Sequence, residues 1–366
     1  MDTYERAAWL ELAWTPYVGS GSFLRLLQHF GSAAAALAAD AEAVKPLLAK
    51  PLALKYWHGA EARQAVEAAL IWEAAHEDAR LLLLADADYP PLLGEGISPP
   101  PVLCVRGDTA YLHRPALAVV GSRHATPQAL RIARDFAHAL SDAGVTVVSG
   151  MAGGIDTAAH EGALQGRSGT VAVWGTGIDS VYPKSNRDLA HRIVAQGCAV
   201  SEFPLGTKPL AANFPRRNRI IAALCQATLV VEAALESGSL ITARLAAEMG
   251  REVLAVPGSI DNPHSKGCHA LIKQGAKLTE SLDDIWQECP LLAGAATRLP
   301  EKTVPQAPDA VEENTLLQQM GYDPVHPDEL AAALGMSAAD VYAELMELEL
   351  AGTVAALSGG RYQRLA

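Results

Sequence analysis

The sequence predicts an α/β protein centred on a Rossmann-like, doubly wound, mostly parallel sheet, flanked by an N-terminal helical domain and a C-terminal winged helix. Short apolar runs rich in β-branched residues recur between Ala116 and Val256. Helical patterns, each introduced by a glycine-rich or polar turn, separate these runs. Strands that are apolar throughout and alternate with helices are typical of a parallel sheet covered on both faces. A doubly wound sheet is therefore the expected core.

Residues 1–85 are predicted to form the helical domain. Apolar residues recur at helical spacing in WLELAW and SFLRLLQHF, and TPYVGSGS interrupts them. A short glycine-containing turn between two helices can be a DNA-binding helix-hairpin-helix, whose backbone amides bind phosphate. Because the turn contains no Lys or Arg, a plain helical bundle is the preferred interpretation.

Residues 86–290 are assigned to the central domain. A proline-rich stretch, DADYPPLLGEGISPPP, leads into a first strand, VLCVRG. Six further strands are predicted at ALAVV, VTVVS, TVAVW, AVSEF, ATLVV and EVLAV.

Residues 291–310 are predicted to be a linker, because proline, alanine and charged residues alternate there. Residues 311–366 fit a winged helix, with a hairpin that turns at Gly359-Gly360. Its would-be recognition helix carries Asp340, Glu344 and Glu347 and no basic residue. Contact of that helix with phosphate would be repulsive, so a protein contact or a structural role is expected.

The net charge of -12 is unevenly distributed along the 366 residues. Residues 115–290 carry 16 Lys/Arg and 16 Asp/Glu, whereas 1–114 carry 9 and 14 and 291–366 carry 4 and 11. An anionic partner such as nucleic acid would therefore meet the middle of the chain, and only at a local patch.

Other features of the chain point to the cytoplasm. No apolar run is long enough to predict a membrane span, and the first residues, MDTYERAAWLELAW, lack the basic and apolar regions of a secretory signal. The five cysteines are scattered without CxxC spacing, which fits reduced thiols used as small apolar residues.

The loops after the predicted strands indicate where a ligand binds, since ligands of open α/β sheets bind beyond the carboxyl ends of strands. Five such loops combine glycines, hydroxyls and cations, and together they predict a polyphosphate or nucleic-acid site, although any one of them equally fits an ordinary turn. The predicted site residues are Gly121, Ser122, Arg123, Gly150, Gly153, Gly154, Lys184, Asn186, Asn213, Arg216, Arg217, Arg219, Ser237, Gly238 and Ser239.

The stretch NFPRRNRIIA places three arginines in the first turn of a predicted helix, where the helix dipole disfavours cations. A bound anion would offset that cost. At 100° per residue, Arg216 and Arg219 share a face and Arg217 points elsewhere. We therefore expect Arg216 and Arg219 to bind phosphate and Arg217 to form a structural ion pair.

Several other site classes are not supported. The chain lacks G-x-G-x-x-G after its first strand, a P-loop and a G-x-S-x-G elbow. HSKGCH, from His264 to His269, matches no standard zinc spacing. We expect no cofactor and no metal. His160 is expected to be a packed histidine, and Glu202 and Glu232 fit either general acids or structural hydrogen bonding to the loops.

The motifs VVGSRHAT, SGMAGGIDTAAH, VAVWGTGIDSVYPKSN, SEFPLGTKPLAANFPRRNRIIAAL and VVEAALESGSLITARLAAEMGREVLAVPG follow one another from Ala116 towards Trp286. This ordered set resembles the DNA-processing protein family DprA, also called Smf. The resemblance implies a SAM-like N-terminal domain, a C-terminal winged helix and binding of single-stranded DNA without enzymatic chemistry.

It further implies that the protein protects incoming DNA in natural transformation and loads the RecA recombinase, as a homodimer. The family's pocket arginine falls on Arg123, and its other basic positions on Lys184, Arg216, Arg217 and Arg219. Dimer and recombinase contacts map to Leu271 and Ile272.

Two other functions remain open. Related Rossmann-like enzymes of the phosphoribohydrolase type hydrolyse nucleoside monophosphates, but their P-G-G-x-G-T-x-x-E motif is missing here. A scaffold that bridges proteins through its helical and winged domains is the third interpretation.

Overall fold

A computed structural model of the chain describes residues 1–296 and 314–365. Within these residues a large sheet contains β1 (Ala79–Leu83), β2 (Val102–Gly107), β3 (Ala116–Val120), β4 (Thr146–Ser149), β5 (Thr170–Val173), β6 (Cys198–Ser201), β7 (Ala227–Val230), β8 (Glu252–Ala255) and β9 (Lys277–Leu278). Their spatial order is β1-β2-β6-β5-β4-β3-β7-β8-β9. All pairings from β6 to β9 are parallel, and β2 is antiparallel to both β1 and β6. The predicted, mostly parallel sheet is confirmed.

The strand order reverses at β3. From β3 the chain adds β4, β5 and β6 on one side, and it then returns to add β7, β8 and β9 on the other. Such a reversal opens a crevice at the carboxyl ends of the two strands that flank it, because their following loops diverge to opposite faces. The crevice between β3 and β7 is therefore the natural ligand position.

The helices of the first 75 residues form the predicted N-terminal helical domain; they are α1 (Thr3–Trp14), α2 (Ser20–Phe30), α3 (Ala33–Ala38), α4 (Ala41–Val44) and α5 (Ala60–Ala75). This domain shares a hydrophobic core with the sheet, which includes Trp9 and Phe23 of the helices and Leu83 and Val102 of the strands. The indole Nε1 of Trp9 also donates a hydrogen bond to the carbonyl of Pro101 at 2.8 Å. The hairpin between α1 and α2 is thereby held against one end of the sheet.

Helices of the central domain cover both faces of the sheet, and they are α6 (Pro91–Gly94), α7 (Pro127–Asp142), α8 (Ile155–Ala163), α9 (Arg187–Gln196), α10 (Asn213–Ala223), α11 (Ser239–Glu248), α12 (Lys266–Lys273) and α13 (Leu282–Glu288). Successive residues of β3 alternate between the faces. Leu117 and Val119 pack with Ala133 of α7, whereas Val120 packs with Ile220 of α10. Both faces of the sheet are buried under helices, which explains why the strands are apolar throughout.

The structure corrects two of the predicted boundaries. Strand β1 precedes residue 86 but pairs with β2 in the central sheet, so the sheet begins before the predicted boundary. Residues 290–296 form α14 (Pro290–Ala296) instead of linker, because Leu292 is fully buried against the core. The rest of the predicted linker, 297–310, lies outside the described residues.

The C-terminal winged helix comprises α15 (Thr315–Met320), α16 (Pro327–Leu334), α17 (Ala338–Leu350) and the hairpin β10 (Val354–Ala356) and β11 (Tyr362–Arg364). It contacts the central domain where Gln363 Nε2 donates to Gln128 Oε1 of α7 at 3.0 Å. Among the described residues, no helix has the length and apolar character needed to cross a membrane. All five cysteines are free and buried, as the sequence predicted.

Candidate nucleic-acid interface

A cleft of about 570 Å³ opens at the carboxyl ends of β3 and β7, where the strand order reverses. All five predicted loops contribute residues to the cleft or to a smaller adjoining pocket. The predicted site residues that line this cleft are Gly121, Arg123, Arg217, Ser237, Gly238 and Ser239. The sheet therefore brings together residues that are more than 100 positions apart in the chain.

The loop after β3 is anchored at both ends by Glu232, which follows β7. The backbone carbonyl of Glu232 accepts from Ser122 N at 2.8 Å. Its buried carboxylate accepts from Thr126 Oγ1 at 2.7 Å and from Thr126 N at 3.2 Å. Thr126 is in turn the N-cap of α7. Between these anchors Arg123 is exposed, and its guanidinium lies 5.4 Å from the Phe214 ring centroid.

Glu232 thus has the structural hydrogen-bonding role that was one of its two interpretations. Burial raises the pKa of its carboxyl group, and the hydrogen bonds from Thr126 partly oppose that shift.

The loop after β4 packs closely beneath the Arg123 loop. Gly154 has φ +76° and ψ -129°, a conformation that side chains rarely adopt. The adjacent Ile155 N donates to Ser122 O at 3.1 Å. Deeper in the fold, His160 contacts Gly150 O at 2.5 Å and Thr170 Oγ1 at 2.8 Å. Burial lowers the pKa of His160 to about 4, so it is a packed, neutral histidine, as expected.

Arg217 forms the floor of the cleft. It is only 4% exposed, and its Nη1 donates to Val173 O at 2.5 Å. Across Gly150 it faces the buried carboxylate of Asp156, and a Cβ at Gly150 would overlap both side chains. Burial raises the pKa of Asp156, and the positive charge of Arg217 opposes this shift. The two charges compensate each other behind the cleft surface.

The other two arginines of NFPRRNR face away from the cleft. Both donate to Glu202, Arg216 Nη2 at 3.3 Å and Arg219 Nη2 in a shorter contact. Their shared face was predicted from the helical spacing, and the part that each arginine plays in DNA binding stays a prediction. Arg217 points into the cleft, whereas the side chain of Arg219 is only 13% exposed and is paired with a carboxylate. Helical periodicity gives the angle between residues and not the direction of the cleft.

Two asparagines have internal partners. Asn186 is buried, and its Nδ2 donates to Thr157 Oγ1 at 2.9 Å and to Met151 O at 3.2 Å. Asn213 is buried, and its Nδ2 donates to Lys208 O at 3.4 Å. These hydrogen bonds hold loops together, and the DNA contacts of the two asparagines stay predictions. Lys184 is exposed beside the site but lies outside the lining of the cleft.

Two aromatic side chains line the cleft. Tyr182, 47% exposed, and Phe214 have ring centroids 5.8 Å apart. Phe203, a third stacking candidate from the sequence, is buried. The sequence analysis missed Asn218, whose Nδ2 donates to Gly238 O at 3.3 Å and whose side chain lines the cleft. Only the spacing of the polar residues on α10 could have indicated it.

Three family models match the chain. The model for DNA recombination-mediator protein A matches residues 80–290, more than half of the sequence. A DprA winged helix domain matches residues 300–360, and a DprA-like N-terminal HHH domain matches residues 3–41. The chain belongs to the DprA/Smf family.

Relatives and solved structures agree with this assignment. Protein Smf of Escherichia coli (strain K12) is 44% identical over 309 residues, which cover 83% of this chain and 82% of that protein. Protein Smf of Synechocystis sp. is 35% identical and covers both chains completely. The X-ray structure of DprA from Streptococcus pneumoniae has a TM-score of 0.66 and 34% identity, covering 78% of this chain and 98% of that one.

A solved structure of DprA from Helicobacter pylori is described as giving insight into the single-stranded DNA binding mode of that protein. It has a TM-score of 0.53 and 27% identity, and it covers 59% of this chain and 98% of that one.

The family match also bears on the first domain. The model that matches residues 3–41 is described as a DprA-like N-terminal HHH domain, which agrees with the predicted helical domain.

The two residues predicted for dimer contacts, Leu271 and Ile272, lie on α12. Leu271 lines a groove of about 580 Å³ between α11, α12 and β8, together with Leu240 and Val253. Ile272 is half-buried against the same core. Among the described residues, no cluster of His, Cys, Asp or Glu could hold a metal ion. In HSKGCH, Cys268 is buried and His269 Nε2 lies 2.9 Å from Gly258 O.

Proposed function

We propose that this protein binds single-stranded DNA in the cleft and acts in DNA recombination. In this proposal it protects incoming strands in natural transformation, loads a recombinase of the RecA type as a homodimer in the cytoplasm, and catalyses no reaction. The observation that carries the proposal is the pairing of exposed Arg123 with the buried Arg217 floor in one cleft at the strand-order reversal. The DNA-binding mode described for the Helicobacter pylori relative supports the same ligand.

A single strand suits this cleft physically. Its flexible phosphates can follow loops whose amides and cations lie along one sheet edge. Tyr182 and Phe214 offer stacking for a base or two, too few for a continuous platform. Phosphate contacts therefore dominate, and binding should weaken steeply as salt is raised, with little preference for sequence.

The test is fluorescence anisotropy with labelled oligo-dT over a range of salt concentrations. Arg123→Ala should weaken binding by about tenfold or more, because hydrogen bonds to charged groups contribute ~1.5–3 kcal/mol. Arg131→Ala is the control, since it removes a half-buried arginine of the same domain that pairs with Asp135 on α7. Binding that is insensitive to salt, or that survives Arg123→Ala combined with Arg216→Ala, would refute the proposal.

The alternative functions make different predictions. A phosphoribohydrolase would release the base from AMP at a robust rate, and such turnover would replace the binding proposal. A scaffold would shift neither single- nor double-stranded oligonucleotides in a gel. Dimerisation is tested by mass in solution, where Leu271→Glu should shift a dimer to monomer. Recombinase loading is tested by filament assembly of RecA on the bound strand.

A further inference from the structure

A second opening lies at the same edge of the sheet as the cleft. This crevice, of about 170 Å³, lies between the α1–α2 hairpin and the ends of β6 and β2. Tyr17, Glu202, Phe203 and Arg216 are among its lining residues. Pro215 lines the cleft and the next residue, Arg216, lines the crevice, so the start of α10 borders both openings.

The crevice combines cations with aromatic rings. Arg216 is 58% exposed even though it contacts Glu202, and its guanidinium lies 5.0 Å from the Phe203 ring centroid. On the opposite wall, Tyr17 is 46% exposed, and Lys50 Nζ lies 6.0 Å from its ring. A cation beside an exposed aromatic ring, the arrangement at Tyr17, is one of the features that bind single strands without sequence preference.

The one carboxylate in the crevice does not cancel this charge. Glu202 accepts from both Arg216 and Arg219, so the cluster of three side chains retains one positive charge. Lys50 adds a second. The N-terminal domain is acidic as a whole, with 9 Lys/Arg against 14 Asp/Glu in residues 1–114. A positive crevice on an acidic domain would attract an anion to this place and not to the rest of the domain.

The backbone of the hairpin presents Tyr17 in an unusual way. Tyr17 has φ +70°, in the left-handed region that disfavours a residue with a bulky side chain. Its ring contacts that of Tyr56, with centroids 5.5 Å apart, and this contact fixes the ring at the rim of the crevice. The hairpin itself is fixed to the sheet through Trp9 and the shared core.

We propose that a single strand bound in the cleft leaves it over Arg216 and enters this crevice, where Tyr17 stacks on a base and Lys50 contacts the backbone. The inference rests on the proposed function of the cleft, and it gives the N-terminal domain a direct part in holding DNA. The strand then spans two domains, so its affinity depends on its length. A short oligonucleotide occupies the cleft alone, and a longer one occupies both openings.

The experiment uses the full chain and oligo-dT probes, with and without 5-iododeoxyuridine for photo-crosslinking. Peptide mapping should find adducts on Tyr17 as well as on Phe214 or Tyr182. Tyr17→Ala and Lys50→Ala should each weaken binding of long oligo-dT by roughly fivefold, the lower end of the effect of one stacked base, and leave short oligo-dT unchanged. Lys45→Ala, which removes an exposed lysine of the same domain, is the control and should bind as wild type.

The outcomes separate this inference from the function of the cleft. Adducts confined to the cleft aromatics, with Tyr17→Ala and Lys50→Ala binding like Lys45→Ala, would overturn the crevice and leave the cleft standing. Wild-type affinity in Arg123→Ala would instead overturn the cleft, and the crevice proposal with it. Circular dichroism of each variant identifies any loss of binding that comes from unfolding.

Discussion

Two adjacent glycines of the loop after β4, Gly153 and Gly154, should differ greatly in how much the same substitution destabilises the protein. A Cβ at Gly154 would meet the carbonyl carbon and oxygen of Arg123 at 2.8 and 2.7 Å, and Ser122 O closer still. Its φ of +76° adds backbone strain. At Gly153 the nearest atom, Arg123 O, would be 3.9 Å away, an ordinary contact. Gly153→Ala is therefore a control in the same loop.

The magnitude for Gly154→Ala follows from its two causes. Holding a non-glycine residue in a sparsely populated backbone conformation costs about 1–3 kcal/mol, and overpacking costs about 1–3 kcal/mol more. The free energy of unfolding should thus fall by roughly 2–6 kcal/mol, a large part of a typical 5–15 kcal/mol. Gly153→Ala should change it by less than about 1 kcal/mol.

Urea denaturation measures both changes, and anisotropy with oligo-dT measures the consequence for the site. Because the overlap falls on the backbone of Ser122 and Arg123, the chain can relieve it only by moving the Arg123 loop. The Gly154→Ala variant should therefore bind DNA about tenfold more weakly even where it remains folded, because the loss of one hydrogen bond to a charged group has about this effect. Stability and affinity within error of Gly153→Ala would refute the reasoning.

Three further perturbations test the interior of the site. Arg217→Met should lower the free energy of unfolding by about 3–5 kcal/mol, because it leaves Asp156 buried without its opposite charge. Adding Asp156→Asn to the same chain should recover part of this loss in urea denaturation. Additive effects of the two substitutions would contradict the prediction. The pKa of His160 is lowered to about 4 in the folded protein, so the imidazole binds a proton more tightly in the unfolded chain. The free energy of unfolding should therefore fall by about 3 kcal/mol as the pH is lowered from about 6.5 to 4. The same dependence on pH in a His160→Gln variant would contradict this. Glu232→Ala should weaken oligo-dT binding by releasing the Arg123 loop from Thr126, and Glu232→Gln, which keeps an acceptor, should retain most of the affinity; equal losses would count against positioning by hydrogen bonds.

Much of the fold could be read from local sequence. Seven of the predicted strands coincide with observed ones within a residue or two, because buried parallel strands need continuous apolar runs and the turns between them need glycine or polar residues. Strand β1 was missed, since only three residues separate ARLLL from α5, and none of the three is glycine or proline. The helix α14 was missed because its stability comes from burying Leu292 against the sheet.

The site was predicted as a set of loops, and its membership was less predictable. Glycine-rich loops after parallel strands must meet at one edge, so their convergence follows from the fold class. Whether a polar side chain faces the ligand or its own protein depends on its neighbours. Asn186 donates to Met151 O and Thr157 Oγ1, and Asn213 donates to Lys208 O. No local sequence pattern distinguishes them from asparagines that bind a ligand.

The three arginines of NFPRRNR show which properties of the site follow from the sequence and which depend on tertiary packing. The sequence determined that they stand at the start of a helix and that Arg216 and Arg219 share a face, because an α-helix turns by 100° per residue. Only the tertiary structure decided which face meets the cleft, since the rotation of α10 about its axis is set by the burial of Ile220 and Ile221 against the sheet. That packing directs Arg217 to the cleft floor, and it turns Arg216 towards the N-terminal hairpin.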